Sequence, residues 1–160
     1  MNRPYITKLH IIIEIAALLI CVASIILAVF YALRAGGQVP TNYDFQGNVT
    51  GYGSPWTALI MPLVALTMVI TDAVVLHLVP ASSWNTGVRI RAGRANAVYK
   101  EIGLMVALLS LEFAMFALAF TVLQYFSKMG LTASLSFILI GVMTATIVLA
   151  IVRASRKNRL

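Results

Sequence analysis

The chain has 160 residues, of which 61% are hydrophobic and only 11% are charged, and its mean hydropathy is +0.93. A soluble domain of this length is usually about half apolar and about a quarter charged, so the composition excludes an ordinary soluble domain and predicts one small membrane domain. The net charge of +7 does not indicate nucleic acid as a partner, because the basic residues flank apolar runs and therefore favour an anionic bilayer surface.

Four apolar runs are long enough to cross a bilayer, which takes roughly 20 residues of helix. They cover about residues 9–33, 56–79, 102–126 and 131–152. Because backbone amides inside lipid must be paired within the segment, all four are predicted to be helices. We therefore predict an all-α integral membrane protein, with the first run retained as an anchor rather than cleaved as a signal peptide.

The Lys and Arg residues predict the orientation. If the N-terminus is cytoplasmic, only Arg34 and Lys128 lie outside, and both termini and the basic loop 81–100 lie inside. The inside set consists of Arg3, Lys8, Arg89, Arg91, Arg94, Lys100, Arg153, Arg156, Lys157 and Arg159. In loop 81–100, Asn85 or Thr86 is expected to cap a helix that continues into the third span. We interpret this loop as a headgroup-facing ramp, with a docking site for a cytoplasmic partner as the alternative.

Three spans carry ribbons of small or polar residues, which allow helices to approach closely in lipid. We predict that they pack within one bundle, and the alternative is that one ribbon faces another chain. The ribbon of the first span is His10, Glu14, Ala17, Cys21, Ser24 and Ala28; that of the third is Gly103, Ala107, Ser110, Ala114, Ala117 and Thr121; that of the fourth is Ser134, Gly141 and Ala145.

Five ionisable residues are predicted to lie inside the membrane: His10, Glu14, Asp72, His77 and Glu112. An acid near the bilayer centre costs about 2.5–3.5 kcal/mol on insertion scales, so each needs a reason. Three interpretations stay open. Glu14 and Asp72 reach the basic loops while Glu112 is protonated or hydrogen-bonded; or the acids form a proton or cation path; or they pair with a partner subunit. We expect no metal, since four helical positions would have to converge, and no cofactor.

Residues 34–55 form a predicted structured outer loop between the first two spans. Its Pro and Gly residues favour tight turns, and its aromatic residues are typical of a membrane interface. We interpret it either as a cap resting on the bundle or as a binding element for a ligand or partner. The candidate binding residues are Pro40, Asn42, Tyr43, Asp44, Phe45, Gly47, Tyr52, Gly53, Ser54 and Trp56.

The segment from Val39 to Ser54, which follows an apolar span, resembles a domain of unknown function found at the N-terminus of SdpI-type immunity proteins. Val39-Pro40, Gly47 and Gly53-Ser54 match the pattern of that family, whereas Asn42 stands where the family usually has His. The remaining departures are Asp44, Thr50 and Pro55. The resemblance implies a bacterial plasma-membrane protein with an exported binding loop.

No motif of an enzyme is present: the chain has no phosphate loop, nucleophile elbow or Cys/His pair. We therefore expect a non-enzymatic accessory or binding subunit of a larger membrane complex, such as a transporter, or an SdpI-like immunity or sensing protein. The expected partners are the anionic inner leaflet, another membrane protein or a second copy, and an extracellular peptide. The alternative is a small proton- or ion-coupled translocator that uses the intramembrane acids.

Overall fold

A computed structural model describes residues 3–44 and 46–159 of the chain. It is mostly helical (74%) and has, within this part of the chain, four helices long and apolar enough to cross a membrane, as predicted. Short 3₁₀ turns occur at Pro55–Leu59, Ala81–Ser83 and Met129–Leu131. The longer elements are α1 (Lys8–Arg34), β1 (Val39–Tyr43), β2 (Val49–Gly53), α2 (Ile60–His77), α3 (Ala95–Tyr125) and α4 (Thr132–Arg159).

Helix α3 is the centre of the bundle, because α1, α2 and α4 all pack against it. The predicted ribbon of α3 is buried along its whole length, from Gly103 to Thr121. On α1 the ribbon is also buried, except for the partly exposed Glu14. Small side chains bring these helices close, and Ala17 and Cys21 meet Ala114 and Ala117 in one cluster. The prediction of close packing is confirmed for these two ribbons.

Helix α4 contradicts the same prediction. Ser134, Gly141 and Ala145 are all exposed, and only 6% of its most apolar segment is buried, against 28%, 22% and 33% for the other three spans. The buried residues of α4 are instead Ala150, Ala154 and Asn158 near its C-terminus. Helix α4 packs on α3 along one side and on residues 88–91 at its C-terminal end, and its small residues lie on the other side.

Loop 81–100 is not a continuous helix, so that prediction was wrong. Gly87 and Gly93 have φ values of 64° and 76°, which no right-handed helix contains. Thr86 donates its hydroxyl proton to the carbonyl of Val88 at 2.9 Å and so closes a local turn instead of capping a helix. Helix α3 begins only at Ala95.

The first and last described residues of the chain, Arg3 and Arg159, lie at the same end of the bundle. The Arg3 guanidinium donates to the carbonyls of Leu76 (2.7 Å) and Val79 (2.8 Å) where α2 ends. The amide of Asn158 bonds to the backbone of Arg89 and Arg91. We call this the basic end, made of Arg3, residues 78–94 and the last turn of α4. The opposite end, which carries β1 and β2, is the hairpin end.

Candidate functional site

The predicted outer loop contains a two-stranded antiparallel hairpin, which the sequence reading did not include. Val39 pairs with Gly53, Pro40 with Tyr52, Asn42 with Gly51 and Tyr43 with Val49, with irregular register around Asn42. Five-residue strands with Pro, Asn and Gly in them carry a weak strand signal, because these residues are depleted in strands. The hairpin makes the loop a defined surface rather than a flexible connection.

Asp44 closes the turn of the hairpin. Its carboxylate accepts hydrogen bonds from the backbone and side-chain nitrogens of Asn48, each at 2.8 Å. These bonds, the side-chain bond first, lower the pKa of Asp44 below its ordinary value. The backbone N–H of Gly47 also donates to the carbonyl of Asp44 at 3.0 Å. This predicted binding residue therefore has a structural task in the turn.

Gly47 brings the hairpin onto the bundle. Its φ is +87°, and a Cβ placed there would lie 2.4 Å from the Cα of Gly130, in the turn between α3 and α4. Only two glycines allow the backbones to approach this closely. The hairpin turn thus lies beside the start of α4.

The predicted aromatic binding set separates into inward and outward members. Tyr52 and Trp56 are 64% and 50% exposed, and Asn42 and Ser54 are also exposed. Tyr43 is partly buried and donates its hydroxyl proton to the carbonyl of Pro40 at 3.2 Å. Burial raises the pKa of Tyr43. Pro40, Gly47 and Gly53 are likewise partly buried, and Phe45 lies outside the described residues.

Each intramembrane acid bonds to the next helix along the chain. Glu14 of α1 contacts His77 of α2, with 2.8 Å between Oε2 and Nε2. Ser110 of α3 donates its hydroxyl proton to Asp72 of α2. Thr146 of α4 donates to Glu112 of α3. The expectation that Glu14 and Asp72 reach the basic loops was wrong, since both find partners on a neighbouring helix; the hydrogen bond expected for Glu112 is present.

His10 is a packing residue between α1 and α3. The backbone N–H of Thr7 donates to His10 Nδ1 at 3.2 Å, so Nε2 carries the proton and donates to the carbonyl of Lys100 at 3.1 Å. The absent side chain of Gly103 leaves room for the ring, because a Cβ there would lie 3.3 Å from Nε2. His10 and Glu14 therefore face different helices, although they are one turn apart on α1.

Two of the acids have an oxygen without a partner. Among the described residues, neither Glu14 Oε1 nor Glu112 Oε2 has a hydrogen-bond partner, although both atoms are buried. Within residues 3–44 and 46–159, no three His, Cys, Asp or Glu side chains converge in a way that would hold a metal. The unpaired oxygens are therefore open to a proton or to a polar group from outside this chain.

Glu112 lines a cavity between α3 and α4. That cavity has a volume of about 230 Å³, and a larger apolar groove of about 620 Å³ continues along the same two helices toward the hairpin end. On the other side of Thr146, a third cavity of about 140 Å³ includes Glu101 and Arg153. The seam between α3 and α4 is thus bordered by several cavities.

The sequence did not identify Thr146 or Asn158 as candidate site residues, and Arg3 was used only to predict the orientation. Asn158 is an uncharged polar residue within a basic helix end, and this difference is the signal that would have found it. Thr146 is one of five Ser and Thr residues in the fourth span, so its residue type does not distinguish it. Their partners follow from helix rotation and are visible only in the folded chain.

Residues 19–66 match the family model of a domain of unknown function (DUF1648). The match begins near the middle of α1, contains the whole hairpin and ends in the first turns of α2. The match agrees with the resemblance to a domain of unknown function, but it does not test the link to immunity proteins. It does not reach α3 and α4, which carry Glu112 and the seam cavities. Comparisons with curated proteins and with solved structures give no match.

Proposed function

We propose that this chain is a non-enzymatic accessory subunit that binds another membrane protein through the outward side of α4. The observation that carries the proposal is the exposure of Ser134, Gly141 and Ala145, which follow each other at intervals of seven and four residues on one side of the helix. Small residues allow a second helix to approach closely, whereas contact with flexible lipid tails does not require small side chains. The partner is therefore a membrane-spanning helix.

The hairpin supports the same surface. Gly47 places the hairpin turn against Gly130, directly before α4, so a partner on α4 would lie close to the hairpin turn. Tyr52 of β2 and Trp56 of the following 3₁₀ turn are exposed, and large aromatic residues are enriched in protein interfaces. An SdpI-like immunity or sensing role is the form of this proposal in which the hairpin holds an extracellular peptide.

The charge distribution supports a plasma membrane with the basic end in the cytoplasm. Seven of the ten Lys and Arg residues predicted to lie inside belong to the basic end, whereas Arg34 and Lys128 flank the hairpin end. Positive charge on the cytoplasmic side is the general rule for multi-pass membrane proteins. The hairpin then faces the outside of a bacterial cell, as the family resemblance implies.

Gly141→Phe tests the proposal without disturbing the bundle. A Cβ at Gly141 would meet no atom of the described chain within 4 Å, so the larger side chain affects only what approaches from outside. The control is Ile140→Phe, which also adds an aromatic ring to an exposed position, about 100° away around the helix. After mild detergent extraction, the wild type and Ile140→Phe are expected to migrate as a complex, and Gly141→Phe as a single chain. Equal migration of all three would contradict the proposal.

A proton-coupled translocator is the second candidate, and the position of Glu112 favours it. Glu112 has an unpaired buried oxygen and lines one cavity on the seam, and its partner Thr146 lines the cavity of Glu101 and Arg153. Intramembrane acids that line cavities often carry protons. In reconstituted vesicles, Glu112→Gln would then abolish proton flux, because Gln still accepts from Thr146 but cannot release a proton. Wild-type flux equal to that of empty vesicles would exclude this function.

A further inference from the structure

The basic end contains a cavity whose charged residues are all arginines. It has a volume of about 520 Å³ and lies between residues 88–92 and the last turn of α4. Among the described residues that line it, none is acidic. The three charged side chains at its rim, those of Arg89, Arg91 and Arg159, are exposed and therefore free to turn toward a ligand.

The backbone beneath these arginines is held in place by Asn158. This side chain is only 7% exposed. Its Oδ1 accepts from the backbone N–H of Arg91 at 2.9 Å, and its Nδ2 donates to the carbonyl of Arg89 at 2.8 Å. A buried amide that satisfies both neighbours fixes the loop against α4. The arginines therefore project from a pre-organised segment rather than from a loose one.

The alternation of the loop separates apolar from basic side chains. Val88 and Ile90 pack against the buried cluster of Val98, Ile102 and Ala154. Arg89 lies between these two residues and Arg91 follows Ile90, and both arginines are exposed. The segment lies where α4 ends, so we expect its guanidinium groups at the level of the headgroups when the four helices span a bilayer, while the apolar neighbours pack on the bundle.

We propose that this cavity binds the phosphate of an anionic phospholipid headgroup. Guanidinium groups bind phosphate through paired, charge-assisted hydrogen bonds, and basic pockets between membrane helices are suited to acidic headgroups. Three positive charges without an acid disfavour a headgroup that carries its own ammonium group. The ligand is thus a lipid with net negative charge, held at one site in addition to the general attraction of the basic end.

Native mass spectrometry of the purified full-length chain tests this site, with phosphatidylglycerol as the anionic probe and phosphatidylcholine as the zwitterionic one. We expect one phosphatidylglycerol to bind saturably and phosphatidylcholine not to displace it. The double variant Arg89→Gln with Arg91→Gln should weaken binding at least about ten-fold, since two charge-assisted contacts are lost.

The matched control is Arg156→Gln with Lys157→Gln. It removes the same amount of charge from exposed positions in the last turn of α4 that do not line the cavity. This control should change binding by less than about two-fold. An equal loss in both double variants would show diffuse attraction and overturn the proposal. Asn158→Ala keeps every charge but frees the loop, so a several-fold loss is expected; unchanged binding would contradict the pre-organised site.

Inorganic phosphate and glycerol phosphate separate a lipid from a free anion. At concentrations equal to that of the lipid, neither should displace phosphatidylglycerol, because they lack the acyl chains that add apolar contact to the binding of a lipid. Displacement by either compound at that concentration would assign the cavity to a free phosphate and overturn the lipid proposal. Retained secondary structure of the variants by circular dichroism shows that a loss of binding is not a loss of fold.

Discussion

Gly47→Ala is expected to detach the hairpin from the bundle. The new Cβ would lie 2.4 Å from the Cα of Gly130, whereas ordinary contacts of this kind begin at 3.4 Å, so the two backbones must separate by about 1 Å (3.4 − 2.4). The positive φ adds about 1 kcal/mol of strain for any residue with a Cβ. Both obstacles are backbone features that no side-chain rotation can relieve.

Gly36→Ala is the matched control for this variant. Gly36 has a φ of +59°, but the nearest atom to its Cβ is 4.0 Å away, so the control carries the strain without the collision. A loss of 1–2 kcal/mol in local stability raises the open population by roughly 5- to 30-fold. Hydrogen exchange measures this open population at two backbone amides: that of residue 47 in the hairpin turn and that of Leu131 in the turn before α4.

In Gly47→Ala we expect faster exchange at both amides, because separation loosens both turns. In Gly36→Ala the exchange at both should stay near that of the wild type. Equal exchange at the Leu131 amide in the two variants would refute the docked hairpin and, with it, the continuity of the hairpin with α4.

Two further predictions concern single interactions. The pKa of Asp44 is lowered in the folded hairpin, so its carboxylate stabilises the turn at a pH above the ordinary carboxyl pKa. This contribution is lost as the pH falls through the lowered pKa. The protection of the Asn48 amide against hydrogen exchange should follow this pH profile in the wild type and be independent of pH in Asp44→Asn. Ser24 and Thr121 share a buried hydrogen bond of 3.0 Å between α1 and α3, but Thr121 also donates to the carbonyl of Ala117. Thr121 thus keeps a partner in Ser24→Ala, which should cost only about 0.6 kcal/mol of unfolding free energy in detergent; a loss above about 2 kcal/mol would contradict this.

The sequence predicted the features that depend on periodicity. Four apolar runs gave four helices, and the small residues from Gly103 to Thr121 gave the buried side of α3. The helix that leads into the third span was predicted to begin at Asn85 or Thr86, but α3 begins only at Ala95. The fourth apolar run stops at the first charge, near residue 152, whereas α4 continues through helix-forming residues to Arg159. Hydropathy measures the membrane-embedded length of a helix and not its full length.

The remaining differences depend on which elements become neighbours. A ribbon of small residues predicts that another helix approaches closely, but it does not tell to which chain that helix belongs. Gly141 was therefore assigned to the bundle, although it faces outward. The partners of Glu14 and Asp72 depend on how α1, α2 and α3 are rotated about their axes, and this rotation cannot be read from a single sequence. In the loop before α3, Gly87 and Gly93 were the signal against a helix.

A photo-crosslinking amino acid at position 141, in intact cells, tests the accessory-subunit proposal most directly. The outward side of α4 is expected to give one adduct of defined mass, because the proposed partner helix would lie against Gly141. The same probe at Ile26, an exposed apolar position of α1, should react with lipid and give no protein adduct. The absence of a protein adduct at position 141, or equal diffuse products at both positions, would contradict the account.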